Sequence, residues 1–295
     1  MRNVLLPHTL KELWNILAEE PDALVYAGGT DLLVKVRQGL ADPPCLVCLE
    51  SLEELKGVRE HGDKVFIGSC STLADLLSDS IIRSHFPLLA KGLRVLGSPP
   101  IRNMGTIGGN ICTASPAGDT LPPLYAMDAE LEIRSGDSRH RIALKDFILG
   151  PGQTRLKKGE MLAGLWLKKN SNFNLYHFEK VGQRNSLAIS IASLAALLKV
   201  SKSGLIERAR LAWGSVGPTI VTSTELEVRL RGKPLSRETL EGAVPLVREL
   251  ISPIDDIRAT APYRKAVAGN LLLRLLAVPL SPPPSSPRRL CCNEL

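Results

Sequence analysis

Three groupings of residues in this chain have types and spacings that chemistry could use. Ala27-Gly28-Gly29-Thr30-Asp31 sets two glycines between the apolar run Ala23 to Ala27 (ALVYA) and an amphipathic run that begins at Leu32. Backbone N–H groups at a strand-to-helix turn point outward and the helix dipole adds partial positive charge, which suits a phosphate or pyrophosphate. An ordinary tight connection explains the same spacing equally well. The second grouping is Gly105-Thr106-Ile107-Gly108-Gly109-Asn110, followed by Thr113, Ser115 and Asp119. Its glycines allow close backbone approach, and its hydroxyl, amide and carboxylate groups suit a polyhydroxy ligand tail better than an acid–base pair. The third is Cys45-Leu46-Val47-Cys48.

The cysteines are set aside on geometry. A metal knuckle needs a tight turn between its thiolates, whereas CLVCL reads as a buried strand after Pro43-Pro44. Residues three apart on a strand face opposite sides, so the two sulfurs diverge. No second CxxC and no nearby histidine completes a ligand set, and the expectation is reduced, buried thiols with no metal or iron–sulfur site. The two glycine turns are different. Together they imply one long ligand with phosphates and hydroxyls, which is a nucleotide cofactor. Neither the Gly-x-Gly-x-x-Gly fingerprint nor a Lys-containing P-loop occurs, which argues against a Rossmann fold.

The elements that must position these turns follow from the apolar periodicity. Thr9-Leu10-Lys11-Glu12 is a capping box, and Leu10, Leu13, Trp14 and Leu17 fall on one helical face ahead of Pro21. Strand, glycine turn, a helix from Leu32 to a cap at Gly39, and the CLVCL strand predict a parallel βαβ unit. Lys64 to Gly68 is a strand, and Thr72 caps a helix bearing Leu73, Leu76 and Leu77. Gly97 to Asp119 (GSPPIRNMGTIGGNICTASPAGD) reads as an ordered, partly buried glycine-rich loop. Ala129 to Arg134 and Arg139 to Ala143 form a hairpin, and Met161 to Leu167 returns to the same sheet. A polar turn at residues 168–172 marks a domain boundary. Beyond it come strands at Phe173 to Lys180, Ala188 to Val200 and Leu205 to Trp213. Helices then follow at Glu225 to Leu230, Leu240 to Leu250 and Tyr263 to Leu276, an α+β order. The tail from Pro279, rich in proline and serine, is expected to be disordered.

At 295 residues, two domains are expected. Aromatic residues make up 4%, too few for a nucleic-acid stacking platform. The net charge of +7 is unevenly placed, the first sixty residues holding more acids than bases, and reads as solvated basic faces or an acidic partner surface. No apolar stretch reaches the length of a membrane span and the N-terminus lacks a signal pattern, so a cytoplasmic protein is expected.

AGGTDLL at Ala27 to Leu33, IRNMGTIGGNICTASPAGDTLPPL at Ile101 to Leu124 and AMDAELE at Ala126 to Glu132 resemble the FAD-binding subunits of the molybdenum hydroxylases. That family includes xanthine dehydrogenases and aerobic carbon monoxide dehydrogenases. FEKVGQRNSLAIS around Lys180, WGSVGPTIVTSTELEVRLRGKPLS and DDIRATAPYRKAVAGNLLLRLL continue the resemblance, in order, to about residue 278. It implies an oxidoreductase subunit with FAD in a vanillyl-alcohol-oxidase-type (PCMH-type) domain over residues 1–170. That domain has two α/β subdomains, about 1–58 and 59–170. A smaller α+β C-terminal domain, an antiparallel sheet plus helices, covers 171–278, with the tail at 279–295.

Carried over by position, Ala27, Gly28, Gly29, Thr30, Asp31 and Leu32 form the first pyrophosphate loop. Gly68, Ser69 and Thr72 contribute a further loop. Thr106, Ile107, Gly108, Gly109 and Asn110 form the second pyrophosphate loop, with Thr113 and Ser115 toward the isoalloxazine end. The resemblance makes Asp119 an acceptor for cofactor hydroxyls, brings Lys180 near the flavin from the second domain, and packs Leu162 against the ring system. Plainer roles remain open: a turn cap for Asp119, a surface cation for Lys180, a helix cap for Thr72, a loop brace for Arg102. No residue is assigned to acid–base catalysis. The molybdenum cofactor and 2Fe-2S clusters are expected on a molybdopterin-binding large subunit and a small subunit, with NAD among the acceptors. A stand-alone flavin oxidase and a phosphate-ligand module without redox chemistry are the alternative readings. Cys291 and Cys292 lie outside the resemblance and carry no assigned role.

Overall fold

The computed structural model describes residues 3–169, 173–184 and 187–280, and its first helix, Leu10–Glu19, begins at the Thr9 cap. Thr9 Oγ1 accepts from Glu12 N, and the Glu12 carboxylate reaches back to His8 N, one residue earlier than a capping box requires. Leu13 is fully buried on this helix and packs with Val47, Leu49, Leu52 and Leu55. Strands Asn3–Leu5, Cys45–Cys48 and Leu24–Tyr26 form a three-stranded parallel sheet in that spatial order. The βαβ unit is present, with helix Leu32–Arg37 and Gly39 at φ +73° ending it. Asn3–Leu5 is an additional edge strand that three residues of sequence cannot announce.

The second subdomain is built on a five-stranded antiparallel sheet. Its order is Val58–His61, Lys64–Gly68, Met161–Lys168, Glu130–Ser135, Ser138–Ala143. One face, with Val65, Ile67, Leu131, Ile133, Leu165 and Leu167, closes on helices Leu73–Ser78, Pro87–Val95 and Leu121–Ala126. The hairpin and returning strand agree with the periodicity.

Gly97 to Asp119 is not a loop. Two short helices, Pro99–Met104 and Ile107–Thr113, occupy most of it. Glycine at 108 and 109 disfavours a helix intrinsically, but tertiary structure overrides that preference. Thr106 Oγ1 caps Gly109 N, while the carbonyls of Ser71 and Ser69 accept from Ile107 N and Gly108 N. Ile107 and Ile111 are fully buried. The first-turn N–H groups are therefore satisfied from outside the helix.

The C-terminal domain has a four-stranded antiparallel sheet, Leu175–Val181, Ala192–Val200, Ile206–Gly214 and Val221–Thr222 in order. Helices cover one face. The expected single helix over Leu240 to Leu250 is two, Arg237–Glu241 and Val244–Leu250, because Gly242 interrupts it and Pro245, lacking an N–H, fits only a first turn. The expected helix from Tyr263 to Leu276 is α-helical over Ala261–Asn270 and tightens to 3-10 over Leu271–Ala277, where Leu272 and Leu275 share a face. The opposite face of the sheet packs on helices Pro87–Val95 and Leu121–Ala126, so Ala195, Leu197 and Ala212 belong to the same core as the five-stranded sheet. The tail beyond residue 280, with Cys291 and Cys292, and residues 170–172 of the expected boundary lie outside the described residues.

Candidate functional site

Three segments from different elements are stapled into one cradle. The first is the Ala27 to Asp31 turn between strand Leu24–Tyr26 and helix Leu32–Arg37, with Gly29 at φ +67°. The second, Ser69 to Thr72, leaves strand Lys64–Gly68. The third runs from Met104 to Asn110. Thr72 and Thr106 form a β-bridge, and Leu73 N donates to Gly105 O at 2.9 Å. Gly28 meets the third segment directly, since a Cβ on it would lie 1.6 Å from Met104 O. At Gly108 a Cβ would lie 2.5 Å from Ser69 Cβ, and at Gly68 2.3 Å from Leu55 O. These three glycines are accordingly explained by backbone meeting backbone within the protein.

Gly109 differs. It is exposed, and a Cβ there would meet only Thr106 Oγ1, at 3.0 Å. Of the glycines in the two turns, Gly109 is the one left open to something outside the chain. A cavity of about 340 Å³ lies between the segments, lined by Ala27, Gly28, Gly57, Ser71, Thr72 and Thr106. Thr72 caps its helix by accepting from Asp75 N, the plainer role, and also lines the cavity. Cys70 also lines it, but burial pushes its thiol up to about 11 and keeps it protonated.

A second cavity, about 450 Å³, opens where the two domains meet. Gly97, Asn110, Ser115 and Asp119 line one side and Leu187 and Ile189 the other. Asn110 Oδ1 accepts from Thr120 Oγ1, which orients the amide. Thr113 Oγ1 donates to Asp31 Oδ2 at 3.2 Å, joining the first turn to the end of helix Ile107–Thr113, and Asp31 also pairs with Lys35 at 2.7 Å. Ser115 Oγ accepts from Ala117 N. Arg102 donates to the carbonyls of Leu96 and Gly97, which makes it the loop brace.

Asp119 and Lys180 are not surface groups. Their side chains are 8% and 10% exposed and lie 2.6 Å apart across the domain junction. Burial raises the Asp119 carboxyl to about 6, outweighing the attraction of Lys180. Its Oδ2 is taken by Lys180, whereas Oδ1 is buried without a partner. A buried orphan acceptor beside a cavity suits a ligand hydroxyl. Leu162 stands apart. It is 4% exposed, belongs to the central core with Ile107 and Ile111, and lines neither cavity.

Sequence reasoning did not single out Ser71, Asn103 or Met104, which line the first cavity. Ser71 lies between two residues that it did name, and Met104 is hidden because its backbone, not its side chain, meets Gly28. Cys45 and Cys48 Sγ contact different carbonyls, of Leu46 and Ala27, and no group of three metal-ligating side chains exists among the described residues.

An open glycine at a capped helix start, a glycine turn packed on Met104 just ahead of that helix and an orphan carboxylate oxygen at a domain junction suit a nucleotide cofactor, and FAD fits them. Residues 1–167 match the FAD binding domain in molybdopterin dehydrogenase, and residues 177–278 match the CO dehydrogenase flavoprotein C-terminal domain. The chain belongs to this family of FAD-binding subunits, the flavoproteins of the molybdenum hydroxylases. It is 31% identical over 274 residues to the nicotinate dehydrogenase FAD-subunit of Eubacterium barkeri, covering 91% of this chain and 93% of the relative. It is also 31% identical to the xanthine dehydrogenase FAD-binding subunit of Escherichia coli O157:H7, covering 87% and 88%. Among solved structures, a carbon monoxide dehydrogenase chain from Hydrogenophaga pseudoflava superposes with a TM-score of 0.88 at 27% identity, covering 94% and 96%. These agree with the expected α+β architecture of an FAD-binding domain and a C-terminal antiparallel sheet with helices. No helix among the described residues is long and apolar enough to cross a membrane.

Proposed function

We propose that the chain is the electron-transferring flavoprotein of a multi-subunit molybdenum hydroxylase. In this reading a small partner's 2Fe-2S clusters deliver electrons that originate at a molybdopterin-binding large subunit, and NAD⁺ or another acceptor takes them up. FAD, when bound, supplies the exchange between one-electron and two-electron chemistry. This chain's residues bind, orient and shield. The open backbone at Gly109 and the turn at Gly28-Gly29 hold the phosphates. Asn110 and Ser115 line the junction cavity, Thr113 ties the first turn to the helix beside it, and Asp119 Oδ1 accepts a hydroxyl. Lys180 holds the Asp119 carboxylate in place from the second domain, and the buried wall of Ile107 and Ile111 keeps water from behind the cradle.

The single observation that carries this reading is the buried, unpartnered Asp119 oxygen beside the cavity at the domain junction. The test is to purify the chain with and without co-expressed companion subunits and to measure flavin absorbance and metal content. One FAD per chain, with iron and molybdenum only in the assembled form and NAD⁺ reduction only there, is the expected result. Substrate turnover by the flavin-loaded chain alone would sink the proposal.

A further inference from the structure

The outer face of the five-stranded sheet carries a second arrangement, separate from both cofactor cavities. Phe66 and Trp166 stand opposite each other on adjacent strands, ring centroids 5.1 Å apart. Gly164 permits this, because a Cβ there would lie 2.4 Å from the Phe66 ring. Arg59 lies over the Phe66 ring at 5.7 Å and Arg141 over the Trp166 ring at 4.1 Å. At the floor Glu132, 5% exposed, accepts from Trp166 Nε1 and Arg134 Nε, each at 2.9 Å. That buried carboxylate fixes both neighbours, and Arg134, paired with it at 2.7 Å, balances its charge. Arg139 joins from the edge strand, closing a trough of about 650 Å³.

Arg59 and Arg134 are held by backbone carbonyls and by Glu132, whereas the half-exposed Arg141 has only a long 3.9 Å ion pair with Glu130 and Arg139 has no hydrogen bond or ion pair among the described residues. A guanidinium stacked on a ring keeps its N–H edge available for a carboxylate at little entropic cost. Such a surface differs from an ordinary solvated face, where mobile lysines would serve. Arginine and aromatic side chains are also what anchor interfaces. The trough crosses strands spanning ~19 Å and is open along its length, whereas a small ligand needs enclosure. An extended acidic chain fits it.

We propose that this face docks an acidic segment of a companion subunit, gripped by Arg139 and Arg141. The proposal rests on the reading of this chain as one member of an assembly. Complementary charge there would set the approach and orientation of the partner more than its final affinity.

The test uses the full-length chain purified in the presence of FAD and a short fluorescein-labelled peptide of alternating Asp and Glu, followed by anisotropy. The double variant R139E/R141E should bind it at least ~10-fold more weakly. K202E/K233E, which makes the same charge change at exposed lysines of the C-terminal domain, should weaken it less than ~2-fold. Equal losses in the two variants would reduce the effect to diffuse charge and overturn the proposal. So would no binding, or displacement of the peptide by an equimolar amount of ATP, which would mark a nucleotide site. Flavin absorbance is read in the same samples. A chain that binds peptide but no FAD refutes the cofactor reading alone, and one that binds FAD but no peptide refutes the docking face alone.

Discussion

Lys180 Nζ lies 2.6 Å from Asp119 Oδ2 and 2.9 Å from Val95 O, so a side chain of the C-terminal domain closes on the last residue of the glycine-rich stretch. Both partners are buried, and the second carboxylate oxygen has no donor. The pair therefore ties the domain junction to the cofactor cradle.

Binding of FAD should weaken on acidification through about pH 6. The Asp119 carboxyl, raised to about 6 by burial, must be ionised to accept fully from a hydroxyl, and binding at lower pH has to release a proton. Affinity is expected to be flat above neutrality and to fall by up to ~10-fold per pH unit below about 6, a slope absent in Asp119→Asn. In the cofactor-free chain, the raised value favours folding most below the unfolded carboxyl's 3.8, and that contribution is lost as pH rises through about 6. Flavin fluorescence titrations across this range check the first claim and thermal melts the second.

Lys180→Met should move the pH midpoint of FAD binding upward, toward neutrality. The variant leaves a buried carboxylate without its counter-charge, which raises that carboxyl further and costs about 3 kcal/mol. An unchanged midpoint would mean that the pair does not serve the cradle.

Gly109→Val and Gly28→Ala should fail in different ways. At Gly109 the new side chain meets only Thr106 Oγ1 inside the protein, and valine is no worse a helix former than glycine. The melting temperature should hold while FAD content drops by at least ~10-fold, about 1.4 kcal/mol of binding. At Gly28 the methyl would lie 1.6 Å from Met104 O, so the cradle must spread and the chain should melt several degrees lower even without cofactor.

Arg264→Met should destabilise the C-terminal domain by about 3 kcal/mol. Arg264 is 3% exposed and donates to Ile191 O, Ser215 O and Asp256 Oδ1, all of which lose a partner. The backbone N–H of Arg258 and the Arg264 guanidinium hold the Asp256 carboxyl well below the usual range. Denaturant unfolding of a W14F/W166F background, in which Trp213 alone fluoresces from the core of that domain, measures the loss.

What could be read in the sequence followed from local rules. Thr72 and Thr9 cap helices because a hydroxyl there serves an orphan N–H, and the Glu130–Ser135 and Ser138–Ala143 hairpin shows in its alternation and its Ser-Gly-Asp turn. What could not be read depended on contacts between distant segments. Glycine at 28, 68 and 108 looks like an opening for a ligand, yet each answers to another piece of the same chain, and only 109 remains open. The helix at Ile107–Thr113 was hidden for the same reason, since its first turn is satisfied by Ser69 and Ser71, far away in sequence. Leu162 illustrates a further limit: a buried strand position is set by the core around it, and nothing local separates that from a wall of the cavity.

The position of Lys180 also orders events during synthesis. The domain that holds the glycine segments ends near residue 167, but the ammonium that secures Asp119 and the wall at Leu187 and Ile189 emerge from the ribosome afterwards. A nascent first domain thus lacks the clasp of the proposed seat, and firm retention of flavin is expected only of the finished chain.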